Sequence, residues 1–232
     1  MFIHPKIFSK FPELVAYVGT RDILMRPKQF HSESPELQKN VQALEETFWV
    51  KKSFFLAQCQ SAEVREITEE NLEEMIFADA CFTTLQHISL NVVTADCVPI
   101  VLYDRAKKII WVVHAGWRGS SEKILKKTLE SIIEKYACNM NDIILFIGPS
   151  ICWKCYEVGS EVAELFPESI IQSWEKYFLD LRAENLLQAL ASWILRENIE
   201  ISNECTFELP ETYFSYRREK LKANFICGIG RK

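Results

Sequence analysis

The stretch "TADCVPIVLYDRAKKIIWVVHAGWRGS", Thr94 to Ser120, decides the fold. It holds two apolar runs, "VPIVLYD" and "IIWVVHA", the second rich in the β-branched residues that a sheet interior prefers. A short polar turn, "DRAKK", separates them, which favours an antiparallel hairpin. In a hairpin the start of one strand lies beside the end of its partner. Cys97, just before the first run, and His114, near the end of the second, therefore fall at one sheet edge. Taken singly, each reads as a packed core residue. Taken together they admit a nucleophile–base dyad or half of a metal site. "GWRGSS" then supplies Arg118 and a helix start at Ser120 or Ser121, a place suited to an anion.

Strands and helices alternate on either side of this hairpin. "ELVAYVG" (13–19) reads as a strand. "SPELQKNVQALEETFW" (34–49) reads as a helix, with Ser34 as N-cap, Pro35 at the first helical position, and Leu37, Val41 and Leu44 at helical spacing. "FFLAQCQSAEVREI" (54–67) reads as two strand pieces around Gln58 to Ser61, and "EMIFADACFTTL" as a loop entering a strand. "HISLNVVTADC" and "DIILFIGPS" add buried strands. Residues 120–137 form one amphipathic helical pattern. "SEVAELF" and "ENLLQALASWILREN" are helical, and "TYFSYRRE" and "NFICGIG" read as closing strands. Nothing divides the chain compositionally, so the expectation is one α/β domain with a mixed sheet over residues 1–232.

The chain has 232 residues, 48% hydrophobic and 25% charged, enough to bury a core without staples. Its net charge of -5 argues against a general nucleic-acid binder. No apolar run approaches the ~18 residues of a membrane span, and the N-terminus reads as no signal peptide. A cytoplasmic protein with no membrane partner is expected, its eight cysteines mostly reduced and mostly packed as small hydrophobes. The spacing of "CWKC" (152–155) invites a thioredoxin or zinc reading; the lack of a second such pair weighs against zinc. The arginines of "SYRREK" read as a solvated strand end rather than a ligand clamp.

Several of these stretches carry a resemblance. "TADCVPIVL" followed by "HAGWRG" resembles the YfiH-type family, also called laccase-domain or multicopper polyphenol oxidase. "FADACFT", "IGPSICWKCYEVG", "FLDLRAENLLQAL" and "CTFELPETYFSYRRE" extend the likeness over most of the chain. The resemblance implies a YfiH-like fold with flanking helices. It implies purine nucleoside phosphorylase activity on adenosine, inosine or methylthioadenosine, with adenosine deamination as a companion. It also implies a zinc or copper site of His, Cys and His, and, for bacterial members, removal of wrong amino acids from peptidoglycan precursors.

By position, Cys97 and His114 are two of the implied ligands. The family's first histidine lies in a Gln-Val-His-Gly motif, and this chain reads Gln58-Cys59-Gln60-Ser61. Gln60 stands at the ligand position, and a neutral amide is a poor partner for zinc. If the stretch is extended, Cys59 points to the opposite face. The family's Thr-Arg-x-Gly-Gly turn survives only as "GTRDIL", which keeps Arg21, and the ending reads "EKLKAN" in place of Thr-Gly-Arg.

The leading expectation is therefore a phosphorylase-like enzyme, a monomer or homodimer that takes a purine nucleoside and phosphate. Cys97 and His114 are its catalytic and metal-site candidates, with a weak or absent metal. Gln60, Arg21 and Arg118 are candidates for substrate binding. One alternative is a metal-free cysteine hydrolase, with Cys97 as nucleophile and His114 as base, acting on amides such as mis-loaded peptidoglycan precursors. The other is a catalytically inactive binding protein.

Overall fold

A computed structural model describes residues 1–23, 35–221 and 223–232. The decisive hairpin is present. Strands β7 (Val98–Asp104) and β8 (Ile109–Ala115) pair antiparallel, with Val98 opposite Ala115 and Pro99 opposite His114. All fourteen of their residues are buried. Side chains alternate across a strand, so a continuous apolar run needs a cover on both faces.

Both covers are supplied. Val98, Ile100 and Leu102, with Trp111 and Val113, pack under helices α3 (Ile124–Tyr136) and α5 (Leu181–Ala191). Val101, Tyr103, Ile110 and Val112 pack against a second sheet, meeting Val18, Leu90, Val92, Cys227 and Ile229. The far face of that sheet carries Tyr17, Val93 and Ile226 beneath Leu44 and Phe48 of α1 (Pro35–Phe48). The molecule is layered helix, sheet, sheet, helix.

The hairpin's sheet has six strands in the order β13 (Ile199–Ile201), β9 (Ile143–Ile147), β7, β8, β5 (Ala80–Thr83) and β4 (Val64–Glu66). The facing sheet has five: β1 (Phe2–Ile3), β2 (Leu14–Gly19), β14 (Phe225–Arg231), β6 (Ile88–Thr94) and β3 (Lys52–Phe55). The pairs β3–β6, β4–β5 and β9–β13 are parallel and the others antiparallel, so both sheets are mixed as expected. A small third sheet, β10 (Glu157–Val158), β12 (Lys176–Leu179) and β11 (Ile170–Ser173), was not anticipated. No helix among the described residues is long and apolar enough to cross a membrane.

Four expected elements differ. The helical pattern over 120–137 is two helices, α2 (Trp117–Ser121) and α3, because Lys123 takes a left-handed conformation at φ 61°. The pattern over 184–198 starts earlier, at Leu181, and stops at Ala191, because Trp193 turns to φ 67°. "SEVAELF" is helical only over Ser160–Ala163, helix α4. "TYFSYRRE" is no strand. It is a loop leading into the short helix α6 (Tyr216–Glu219), where the Ser215 hydroxyl caps the Arg218 N–H. Ser34, the expected cap of α1, lies outside the described residues.

Candidate active site

The hairpin register places Cys97 one step beyond the Val98–Ala115 pair, at the level of Gly116. A Cβ on Gly116 would stand 3.0 Å from the Cys97 sulfur and 3.9 Å from Cε1 of His114, so this glycine leaves room for both groups. The thiol and the imidazole thus border the same space, and Cys97 acts electrostatically on the ring. Its other side faces Asp79, whose Oδ1 lies 2.7 Å from His114 Nδ1. The three residues form a chain: carboxylate, imidazole, thiol.

Asp79 is fully buried at the entrance to β5. Its backbone oxygen accepts the His114 N–H at 2.7 Å. Its second carboxylate oxygen accepts the N–H of Ser61 at 2.7 Å, the Ser61 hydroxyl at 3.0 Å and the Cys59 N–H at 3.1 Å. One carboxylate thus holds both the imidazole and the 59–61 turn. Burial raises the Asp79 pKa, but the His114 bond and charge and these donors outweigh it and hold the carboxyl below its ordinary value. Burial likewise opposes charge on His114. The negative charge of Cys97 and the bond to Asp79 overcome it, and the imidazole is pushed up to about 10. His114 is therefore protonated at neutral pH.

The segment before Cys97 is held under strain. Asp96 sits at φ 95°, a conformation costing a non-glycine residue about 1–3 kcal/mol. Its carboxylate accepts the Thr206 hydroxyl at 2.7 Å and the Arg217 N–H at 2.6 Å. Its backbone oxygen accepts the Ile151 N–H at 3.0 Å. These bonds fix the turn that presents Cys97.

Cys97 opens onto a cleft of about 420 Å³. Gln60, Trp117, Arg118, Tyr156, Tyr216, Arg217 and Lys220 are among its walls. His114 is not; it lies behind the thiol, 6% exposed. Gln60 stands in a left-handed turn at φ 59°, and its amide oxygen accepts Nη1 of Arg118 at 2.9 Å. The stretch is not extended, and Cys59 turns toward Ser61 and Asp79 instead of the cleft. Arg21 is not among the cleft residues. It donates to the Pro210 oxygen, lies 3.4 Å from Glu219 and stacks over Phe214 at 4.8 Å.

Cys97, His114, Gln60 and Arg118 thus converge, and Arg21 stands apart. The sequence reading missed Asp79 as the histidine's partner and Arg217 as a cleft cation. An aspartate between two alanines at the edge of a buried strand was the available signal, since a buried carboxylate needs donors.

The family resemblance implied a metal here. The donors present are one thiol, one imidazole and a neutral amide already engaged by Arg118. The one remaining carboxylate oxygen of Asp79 is taken by the 59–61 turn. His87 lies at the opposite end of β6, about 20 Å of strand away. This set does not fit a three-ligand metal centre. A different group does meet the metal-ligand criterion: Cys152, Cys155 and Cys205, whose sulfurs lie within 4.8 Å of one another.

A paired-sheet α/β fold with a Cys–His–Asp constellation at a hairpin edge is thereby defined. The sequence pattern described as "multi-copper polyphenol oxidoreductase laccase" matches residues 28–231, and the chain belongs to this family. It is 32% identical over 193 residues to a purine nucleoside phosphorylase of Clostridium acetobutylicum, covering 82% of this chain and 81% of that one. It is 39% identical over 164 residues to adenosine deaminase RL5 from an unknown prokaryotic organism, covering 66% and 62%. The crystal structure of YfiH from Bacillus licheniformis superposes with a TM-score of 0.89 at 22% identity, over 100% of this chain and 96% of that one.

Proposed function

We propose that the chain catalyses phosphate-dependent cleavage of purine nucleosides in the Cys97 cleft. The observation that carries this reading is the composition of the walls: the rings of Trp117, Tyr156 and Tyr216 beside the cations Arg118, Arg217 and Lys220. Rings suit a planar base, and guanidinium groups suit phosphate. The nomenclature of the Clostridium relative supports it.

In this reading a phosphate oxygen bonds to the sugar's anomeric carbon as the glycosidic bond breaks. The electron pair leaves with the purine, which takes a proton from the Cys97–His114 pair. The attacking phosphate loses a proton, which restores the pair. Asp79 fixes the ring and stabilises its charge. Arg118, aligned by Gln60, and Arg217 hold the phosphate. Arg21 takes no part in holding the anion; it is held against Pro210, Phe214 and Glu219 away from the cleft.

The test is release of free base from inosine and adenosine, followed by chromatography with and without phosphate. Release should require phosphate and fall about 10²–10⁴-fold in Cys97→Ala. Arg118→Ala should raise the phosphate KM. Release without phosphate, or equal release by Cys97→Ala, overturns the reading.

The Asp79–His114–Cys97 order also supports a second reading, a cysteine hydrolase of amides such as mis-loaded peptidoglycan precursors. It requires a covalent acyl group on Cys97, which mass spectrometry of protein quenched during turnover would show.

A further inference from the structure

The three remaining thiols of interest lie outside the Cys97 chain. Cys152 and Cys155 flank a single 3-10 turn that follows β9, in which the Cys155 N–H donates to the Cys152 oxygen at 3.0 Å. Their sulfurs are 3.7 Å apart. Cys205 comes from a segment fifty residues on. It is brought alongside by a bridge with Ser150 and by the Thr206 N–H, which donates to the Ser150 oxygen at 3.1 Å. The Cys152 N–H donates to the Cys205 sulfur at 3.2 Å. All three sulfurs lie within 4.8 Å of one another. Exposed Glu208 stands at the rim of the group, its Oε1 3.8 Å from the Cys155 sulfur alone.

Tetrahedral zinc has Zn–S bonds near 2.3 Å and Zn–O bonds near 2.1 Å, which set ligand edges of about 3.8 Å for S–S and about 3.6 Å for S–O. The Cys152–Cys155 spacing of 3.7 Å sits at the S–S edge, and Cys205 lies within 4.8 Å of both. A backbone N–H aimed at a sulfur stabilises a thiolate and fixes its lone pairs. The ligands also arrive from two chain segments, as a structural clamp requires.

We propose that Cys152, Cys155 and Cys205 form a three-thiolate soft-metal site that takes zinc, its fourth position open toward solvent on the side of Glu208. The site is separate from the Cys97 cleft but mechanically joined to it. Tyr156, next to Cys155, lines the cleft, and Thr206, next to Cys205, holds Asp96. A metal here clamps the 152–156 turn to the 205–208 segment, whose carbonyls at Thr206 and Phe207 accept Nη1 of Arg218. Binding deprotonates the thiols and forms metal–sulfur bonds, with no oxidant or reductant needed.

The test is a titration of the reduced full-length protein with Co²⁺, followed by displacement with Zn²⁺. The expected result is about one equivalent per chain, with thiolate-to-cobalt charge transfer and the strong visible bands of a tetrahedral site. Zinc should protect Cys152, Cys155 and Cys205 from alkylation, mapped by peptide mass spectrometry. Cys155→Ser, at a half-exposed position, should weaken binding by at least about 10-fold, while Cys97→Ala should leave it unchanged. The wild-type alkylation map keeps the proposal testable if a variant fails to fold. Absence of a thiolate–cobalt band, protection that maps to Cys97, or unchanged binding in folded Cys155→Ser overturns it. Base release need not be measured, so this outcome is independent of the proposed activity.

Discussion

At the scale of single residues, the site turns on how Asp79 divides its two oxygens. One orients His114 and the other gathers the 59–61 turn. Asp79→Asn keeps the shape but places an amide N–H₂ against one set of donors, which costs about 1–3 kcal/mol for each buried group left unpaired. It also removes the charge that stabilises the imidazolium. Turnover should fall about 10²–10⁴-fold with a smaller rise in KM, measured as the split between kcat and KM in the base-release assay. Cys97 contributes in the same direction from the other side. Replacing it by Ser removes the leading cause of the raised imidazole, so the His114 titration should move down from about 10, read from the imidazole proton resonances. An unmoved titration would show that the thiol and ring are not electrically paired. Gln60→His inserts an imidazole where the family carries one, at a left-handed position that histidine tolerates better than most residues. It should add a zinc equivalent beyond any held by the Cys152 cluster, and elemental analysis in a Cys155→Ser background separates the two.

Among elements, the hairpin was legible because every determinant is local: two seven-residue apolar strands and a short polar turn. The α2–α3 break was not. The helical pattern runs unbroken through Lys123, and what interrupts it is tertiary. Asn185 donates to the Ser120 hydroxyl at 3.0 Å and Gln188 to the Ser120 oxygen at 2.9 Å, tying α2 to α5. "TYFSYRRE" misled for a related reason. Its alternating rings and polar groups imitate a strand, while Arg218 is satisfied by the carbonyls of Thr206, Phe207 and Tyr213. The thiol cluster was hidden because Cys205 reaches "CWKC" only through the fold. Gly119 shows how tightly α2 meets the 59–61 turn. A Cβ there would lie 2.9 Å from the Ser61 backbone oxygen. Gly119→Ala should gain up to about 1 kcal/mol in helix propensity and lose about 1–3 kcal/mol to overpacking. The net result should be a lower denaturation midpoint and a raised phosphate KM, because the turn carrying Gln60 is pushed off Arg118. A more stable variant with unchanged KM would contradict that packing.

Across the whole molecule, two mixed sheets bury the hairpin between them and the helices, and this accounts for runs that the sequence shows as uninterrupted apolar residues. The same burial writes the site's charges into the stability of the fold. His114 is raised from 6.5 to about 10. Below pH 6.5 both the folded and unfolded chains hold this proton, and its contribution to stability is fully present. Between 6.5 and about 10 the unfolded chain releases the proton and the folded chain keeps it, so stability falls as pH rises. Asp79 acts oppositely: its lowered pKa stabilises the fold above its ordinary value of 3.8 and is lost on acidification. The buried acids Cys81, Cys227, Tyr17 and Tyr213 are also raised, and each destabilises the fold as pH climbs. Their unfolded values are 9.0 for cysteine and 10.0 for tyrosine, so they act later. The interval from about pH 6.5 to 8.5 therefore reports on His114 together with the Cys97 thiol it is coupled to. Urea midpoints across that interval should decline in the wild-type protein and stay flat in His114→Gln, which retains a polar group against Asp79 but does not titrate. Equal slopes in the two proteins would place the proton elsewhere and remove the charged histidine from both the stability argument and the proposed chemistry.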